Sequence, residues 1–187
     1  MRIAIISASP RAKSVTHRVA IFLQNYFEEH TDHEIDMLDV RDYDMPQLKD
    51  VWASVEKTPD EYKPLAEKVF GAEAFIMVTP EYNGSYSPAM KVIFDQFPKQ
   101  SRKAFGIVTA SPGAMGGMRA TQQMQLLVPA LFGILSPHML VIPAVDKKFD
   151  AEGNMLDEGM RKIVDNFAHE FLWLAESLNP EPVTVLN

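Results

Sequence analysis

Short runs of successive apolar residues recur along this chain, and each is followed by a stretch whose apolar residues have helical spacing. Ile3-Ala4-Ile5-Ile6 opens the series; Ala74 to Thr79, Ala104 to Ala110 and Met139 to Ile142 continue it, and a more polar run lies near Glu34 to Val40. Runs of this length, apolar at consecutive positions, read as strands of a parallel sheet covered on both faces. The spacing predicts helices from about Thr16 to Glu29, with Val19, Ala20, Leu23 and Phe27 on one face, and near Pro64 to Phe70. It predicts others from Ser87 or Pro88 to Phe97, from Met118 to Leu131, and from Asp157 to Leu178. Pro129 should kink or shorten the fourth of these. Arg41 to Pro59 is polar and irregular around Trp52, and Asn179 to Asn187 reads as a mobile tail. Alternating strands and helices with right-handed crossovers give an α/β fold. Five strands suit a doubly wound parallel sheet of order 2-1-3-4-5 with helices on both faces, the flavodoxin-like arrangement. Ligands of such sheets sit beyond the carboxyl ends of the strands, so the loops after strands one, three and four are the places to search.

Bulk properties narrow the function classes. A chain of 187 residues, 47% hydrophobic and 23% charged, suits a single globular domain spanning residues 1–187. A net charge of −7 disfavours nucleic acid as a partner. The absence of cysteine excludes disulfides, thiolate catalysis and Cys-ligated metals. Met1 leads straight into a strand, without the pattern of a signal peptide. No apolar stretch nears the ~18 residues that span a bilayer. A cytoplasmic chain with no membrane partner is the expectation.

The loop after strand one reads S-A-S-P-R-A-K-S-V-T-H-R. It brings Ser7, Ser9, Arg11, Ser14 and Thr16 to a helix start, where free N–H groups and the helix dipole favour an anion. Arg11 can pair bidentately with phosphate oxygens. Neither G-x-G-x-x-G nor G-x-x-x-x-G-K-[ST] is present, which disfavours a dinucleotide cradle or a P-loop here and favours a single terminal phosphomonoester. The plainer alternative is that Ser14 or Thr16 caps the helix and Arg11 is solvated. Lys13 and His17 read as surface residues.

After strand three, P-E-Y-N-G-S-Y-S-P places aromatics among turn formers. Gly84 allows a positive φ and close backbone approach to a flat ligand, Asn83 offers both donor and acceptor, and Tyr82 or Tyr86 can pack on a ring. A tight turn with two packing tyrosines is the alternative. After strand four, S-P-G-A-M-G-G-M-R offers a backbone nest at Gly113, Gly116 and Gly117, or glycines that merely turn the chain. Ser111 is well placed toward a ligand's polar rim. Arg119 suits either a dinucleotide phosphate or a salt bridge.

Other chemistries fit less well. His30-Thr31-Asp32-His33 reads as a solvated turn rather than a metal site, so no metal is expected. Ser111-Pro112-Gly113 lacks the nucleophile elbow of acyl hydrolases. Asp39, Asp42 and Asp44 would need acidic partners at the end of strand one to hold Mg²⁺, and that strand ends in serines.

Together the three loops resemble the NADPH-dependent FMN reductase family, with its chromate, quinone and azo-dye reductases. The S-x-R-x-x-S loop corresponds to Ser9, Arg11 and Ser14. P-E-Y-N-G-S corresponds to Pro80–Ser85, and G-G-x-R-A to Gly116, Gly117, Arg119 and Ala120. A further likeness, F-D-x-x-G-N at Phe149–Asn154, extends the resemblance over residues 2 to 175. Ser7-Ala8 departs from the glycine many members carry there. The resemblance implies FMN, with its phosphate at Ser9, Arg11, Ser14, Val15 and Thr16. It implies the ring against Pro80, Glu81, Tyr82, Asn83, Gly84 and Ser85, and against Ser111, Gly113 and Gly116. It further implies NADPH or NADH as co-substrate, and passage of hydride through FMN to a quinone, azo, flavin or metal-oxyanion acceptor. No protein residue is then catalytic, because FMN carries the chemistry. A homodimer or homotetramer through the helices after loops two and three is also implied. A non-enzymatic electron carrier or redox sensor is the alternative.

Overall fold

The computed structural model describes residues 1–179. Its elements in chain order are β1 (Arg2–Ser7), α1 (Val15–His30), β2 (Glu34–Asp39), α2 (Lys63–Gly71), β3 (Ala74–Thr79), β4 (Glu81–Tyr82) and β5 (Ser85–Tyr86). They continue with α3 (Pro88–Gln96), β6 (Ala104–Ser111), α4 (Met118–Ala130), β7 (Ile134–Leu135), β8 (Leu140–Pro143) and α5 (Arg161–Leu178). The main sheet runs β2-β1-β3-β6-β7, with β8 also on β6, and every pairing in it is parallel.

The predicted strand order holds, with one difference at the fifth position. Two short strands share that edge: β7 pairs with Ala104 and Phe105 at the start of β6, and β8 with Val108 to Ser111 at its end. The break between them is Ser136-Pro137-His138, where proline has no N–H to give a ladder. Gly133 before β7 lets the chain pass over the Phe105 ring, with which a Cβ there would clash. Two residues between a glycine and a Ser-Pro carry too little pattern to read as a strand.

Each central strand divides its side chains between two cores. Ile3 and Ile5 of β1, Ile76 and Val78 of β3, and Val108 of β6 join α1 and α5 in one. Ala4, Ile6, Phe75, Met77, Phe105 and Ile107 join α2, α3 and α4 in the other. The period of two is intact, yet both faces are apolar, hence the unbroken runs in the sequence. The irregular connector 40–62 is pinned by Trp52, buried and stacked on Tyr62 at 5.0 Å, with its backbone N–H donated to the Gln96 carbonyl at 2.7 Å. Pro129 sits in the last turn of α4, which stops one residue later. The last helix begins at Arg161 rather than Asp157, after a short 3₁₀ turn at Glu158–Met160. Of the expected tail, Asn179 closes α5 through its N–H and the carbonyls of Ala175 and Glu176; 180–187 lie outside the described residues.

Gly106, in the middle of β6, sets how closely α5 approaches the sheet. A Cβ there would stand 2.9 Å from the Phe167 ring and 3.0 Å from the Phe171 ring, both buried. Gly106→Ala is expected to lower unfolding free energy by about 1–2 kcal/mol, overpacking outweighing the ~0.4–1 kcal/mol gained by restricting the unfolded chain. Denaturant unfolding with an unchanged slope measures it; a variant within ~0.5 kcal/mol of the parent contradicts this packing.

Candidate active site

The carboxyl ends of β1, β3 and β6 open into three loops that hydrogen bonds hold in fixed relation. Ala8 is buried, donates its N–H to the Val78 carbonyl at 2.9 Å, and accepts at its carbonyl from the Ser87 hydroxyl. The first loop is therefore fastened to β3 and α3 where it begins. It ends at Ser14, which caps α1 by accepting from the His17 N–H at 3.1 Å. In the first turn of α1, the buried Thr16 hydroxyl donates to the Ala110 carbonyl of β6 at 3.1 Å. The first and third loops are thus joined through the helix start.

A cavity of about 110 Å³ lies between these loops. Its wall combines Ser9, Arg11, Lys13, Ser14, Val15 and Thr16 with Pro80, Glu81 and Tyr82, and with Ala110, Ser111 and Pro112. Pockets that enclose a drug-sized ligand hold ~300 Å³ or more. This one suits a single end of a ligand, with the rest lying along the open face. Asn83, Gly84, Ser85, Gly113 and Gly116 are not part of the wall.

The second loop is a hairpin. β4 and β5 pair antiparallel, and the two-residue turn between them has positive φ at Asn83 (50°) and Gly84 (83°). That is the Asn-Gly hairpin signal, present in the sequence and readable there. The Arg11 guanidinium stands over the Tyr82 ring, 4.8 Å from its centroid. The Tyr82 hydroxyl oxygen is enclosed with no hydrogen-bond partner among the described residues. Glu81 accepts from the Arg119 N–H at 3.1 Å and its guanidinium at 3.4 Å. Of the two readings of Arg119, the structure shows the salt bridge. It anchors the hairpin to the start of α4, where a carboxylate meets the positive end of the dipole.

In the third loop the Ser111 hydroxyl accepts from the Gly113 N–H at 3.1 Å. At Gly116 (φ 60°) a Cβ would fall 2.7 Å from the Pro143 nitrogen, so glycine is needed there for the chain to pass β8.

His17 is half-buried, contrary to its surface reading. Its Nδ1 lies 2.8 Å from the Ser7 hydroxyl and 3.4 Å from Asp39 Oδ2. Asp39 at the end of β2 accepts from the Arg41 backbone N–H and guanidinium, and Arg41 reaches back to the Ala12 carbonyl at 3.4 Å. The network ties both ends of the first loop to the neighbouring strand. The signal for it was a histidine three residues past a cap together with an Asp-x-Arg at a strand end. Burial holds the His17 imidazole below its ordinary value, although Asp39 pulls it upward. Burial pushes the Asp39 carboxyl up, but the bonds from Arg41 outweigh that and hold it below the carboxylate range.

Solved structures share this fold, and known sequences are similar to this chain. The flavoenzyme NAD(P)H:(acceptor) oxidoreductase FerB from Paracoccus denitrificans superposes with a TM-score of 0.78 over 94% of this chain and 97% of its own, at 22% identity. A variant flavodoxin from Pseudomonas aeruginosa superposes with a TM-score of 0.57 over 91% and 99%, at 19% identity. The FMN-dependent NADPH-azoreductase of Staphylococcus haemolyticus is 26% identical over 170 residues, covering 89% of this chain and 86% of that protein. The family model for NADPH-dependent FMN reductases matches residues 1–147. The chain belongs to that family. It is thus an oxidoreductase of flavodoxin-like fold, in a family whose cofactor is FMN and whose electron donor is NAD(P)H. The matched span takes in all three loops and stops short of Phe149–Asn154.

The donor set fits such a cofactor at one end. The Ser14 hydroxyl accepts one bond at the helix start and keeps its own proton to give, Ser9 adds a second hydroxyl, and Arg11 supplies up to five N–H donors. First-turn N–H groups of α1 have no intrahelical acceptor. Every one of these groups favours an acceptor-only dianion such as a phosphomonoester.

Folded His17 and Asp39 both release protons more readily than in the unfolded chain. Each therefore stabilises the fold above its ordinary value, and that stability is lost as pH falls through the folded value. For His17 the loss begins below its ordinary 6.5. Chemical denaturation of His17→Asn and the parent across pH 8 to 5 should show the parent's stability relative to the variant declining below 6.5. A difference that stays constant or grows contradicts this assignment.

Proposed function

We propose that this chain is an NAD(P)H-dependent FMN reductase that holds FMN at the ends of β1, β3 and β6. The observation that carries the reading is the cavity in which hydroxyls, Arg11 and the start of α1 converge at the switch point of a doubly wound sheet. The phosphate is assigned to Ser9, Arg11, Ser14, Val15 and Thr16. The ring is assigned to Pro80, Glu81, Tyr82, Asn83, Gly84 and Ser85 on one side, and to Ser111, Gly113 and Gly116 on the other.

Bound there, FMN would supply the redox chemistry, transfer of reducing equivalents from NAD(P)H to an acceptor. The chain's own residues bind and orient. Arg11, resting on the Tyr82 ring, neutralises the phosphate. Glu81, held by Arg119, fixes the hairpin to the start of α4. Thr16 holds the first loop at its distance from the third. An open face suits acceptors of varied shape: a quinone, an azo compound, free flavin or a metal oxyanion. The azoreductase name of the staphylococcal relative supports the azo class.

We read residues 1–187 as one domain working in the cytoplasm as a homodimer or homotetramer. The exposed Met115, Met118 and Leu126 on and before α4 support such a contact. Among the described residues no helix is long and apolar enough to cross a membrane.

The test is to add FMN to flavin-free protein and then NADPH or NADH without oxygen. Binding of one FMN per chain and bleaching of its visible absorbance are expected. Arg11→Ala should weaken FMN roughly 10–100-fold, the worth of a lost charge-assisted bond. Protein that retains no FMN, or that stays unbleached by either nucleotide, overturns the reading.

A further inference from the structure

The segment Phe149–Asn154 lies beyond the span the family model matches, and none of its residues lines the cavity between the three loops. It is a tight turn closed by one carboxylate. Asp150 accepts from the Glu152 N–H at 3.1 Å, and from the backbone N–H and side-chain amide of Asn154 at 2.7 and 2.8 Å. The backbone repeats the closure: the Asp150 N–H donates to the Asn154 carbonyl at 3.1 Å, and the Gly153 N–H to the Asp150 carbonyl at 3.3 Å. Phe149 and Met155 pair as an antiparallel bridge at its base. The bonds from Asn154 hold the Asp150 carboxyl below its ordinary value, so the group stays ionised and acceptor-only.

This turn grips α1. Arg18 donates to the Phe149 carbonyl at 2.9 Å, and the buried Phe149 ring lies 5.0 Å from the Phe22 ring, centroid to centroid. Gly153, buried and at φ 82°, sits directly on the helix: a Cβ there would stand 2.7 Å from Ile21 Cγ2 and 3.0 Å from the Phe22 nitrogen. Arg18, Ile21 and Phe22 share one face of α1, about one to two turns behind the end that carries Ser14 and Thr16. The opposite attachment is apolar. Val19, Ala20, Leu23 and Phe27 rest in the core, and burial of that kind is non-directional. Directed bonds from the first turns of α1 run to Ser7 and Asp39 through His17, to β6 through Thr16, and to the turn through Arg18. A helix start that must bring several donors to ~2.7–3.2 Å from one phosphate loses bonds if the helix slides by a fraction of its rise.

We propose that the turn Phe149–Asn154 sets the axial position of α1, which makes Asp150 and Gly153 positioning residues for the cofactor's phosphate. They act through the start of α1 and not by contact. The inference rests on the flavin-reductase reading above and adds what holds the phosphate seat in place. The ring is assigned to the second and third loops, which share no hydrogen bond with the turn among the described residues. Loosening the turn therefore costs phosphate recognition and spares ring recognition.

Fluorescence titration of the flavin-free protein with FMN and with riboflavin, which has the same ring and no phosphate, separates the two. Three variants accompany the parent. Gly153→Ala sets a methyl against Ile21, Asp150→Ala opens the turn, and Asp150→Asn keeps an oxygen for the two backbone N–H groups. The parent is expected to bind FMN at least tenfold more tightly than riboflavin, roughly the worth of one charge-assisted bond. Gly153→Ala and Asp150→Ala should each cut that preference about tenfold by weakening FMN alone, and Asp150→Asn should restore most of it. Asp150 is half-buried on a surface turn, so Asp150→Ala decides the question alone if Gly153→Ala does not fold. A merely structural turn would lower stability and move both flavins alike, or neither, and either result overturns the proposal. So does a parent that binds the two flavins equally, or an Asp150→Asn variant that falls as far as Asp150→Ala. Failure of the flavin reading looks different: the parent itself then takes up no FMN, or takes up FMN that neither nucleotide bleaches.

Discussion

Coverage of the sheet on both faces governs everything else in this molecule. Along β1 the side chains of Ile3 and Ile5 enter one core and those of Ala4 and Ile6 the other, so no position from Ile3 to Ile6 can carry a polar group without burying it. On the central strands, past Arg2 at the entry of β1, polar side chains appear only toward the carboxyl ends: Ser7 on β1, Thr79 on β3, Thr109 and Ser111 on β6. Each buried one is partnered by its neighbours. Thr79 accepts from the Ser87 N–H at 3.0 Å, and the Thr109 and Thr121 hydroxyls meet at 2.9 Å. Chemistry in this fold has one place to go, and the loops at that end are built to hold still.

That stillness has a cost-saving consequence for binding. Ala8 on β3 and α3, Thr16 on the end of β6, and Glu81 on the start of α4 fix the three loops against one another before any ligand arrives. A ligand then gives up its own freedom but does not have to order the protein. The His17–Asp39–Arg41 network extends the same principle to β2.

Most of the fold was legible because its signals are local. The strand Ala74–Thr79 is bounded in the sequence as it is in the structure, and α1 differs by one residue at each end from the helix its periodicity predicts. The divided fifth strand was not legible: Ile134–Leu135 is held by Phe105, a contact across the sheet that no short window contains. At the site, Ser9, Arg11, Ser14 and Thr16 are close in sequence and meet Tyr82 and Ser111 only because the strand order brings three loop ends together. His17 was misread because burial by Asp39 and Arg41, more than twenty residues away, is a tertiary fact. Arg119 was ambiguous for the same reason, and Glu81 decides it. The hairpin at Asn83-Gly84 was the one feature that local chemistry announced and the loop reading passed over.

The central claim is that one set of strand-end loops receives the flavin. Backbone amide NMR of the flavin-free protein during titration with FMN maps the answer residue by residue. The account predicts the largest shifts at residues 9–16, 80–85 and 110–116, with the groove between Phe22, Tyr26 and Arg161 on the far part of α1 unmoved. Shifts concentrated in that groove, or spread without reference to the ends of β1, β3 and β6, would contradict it.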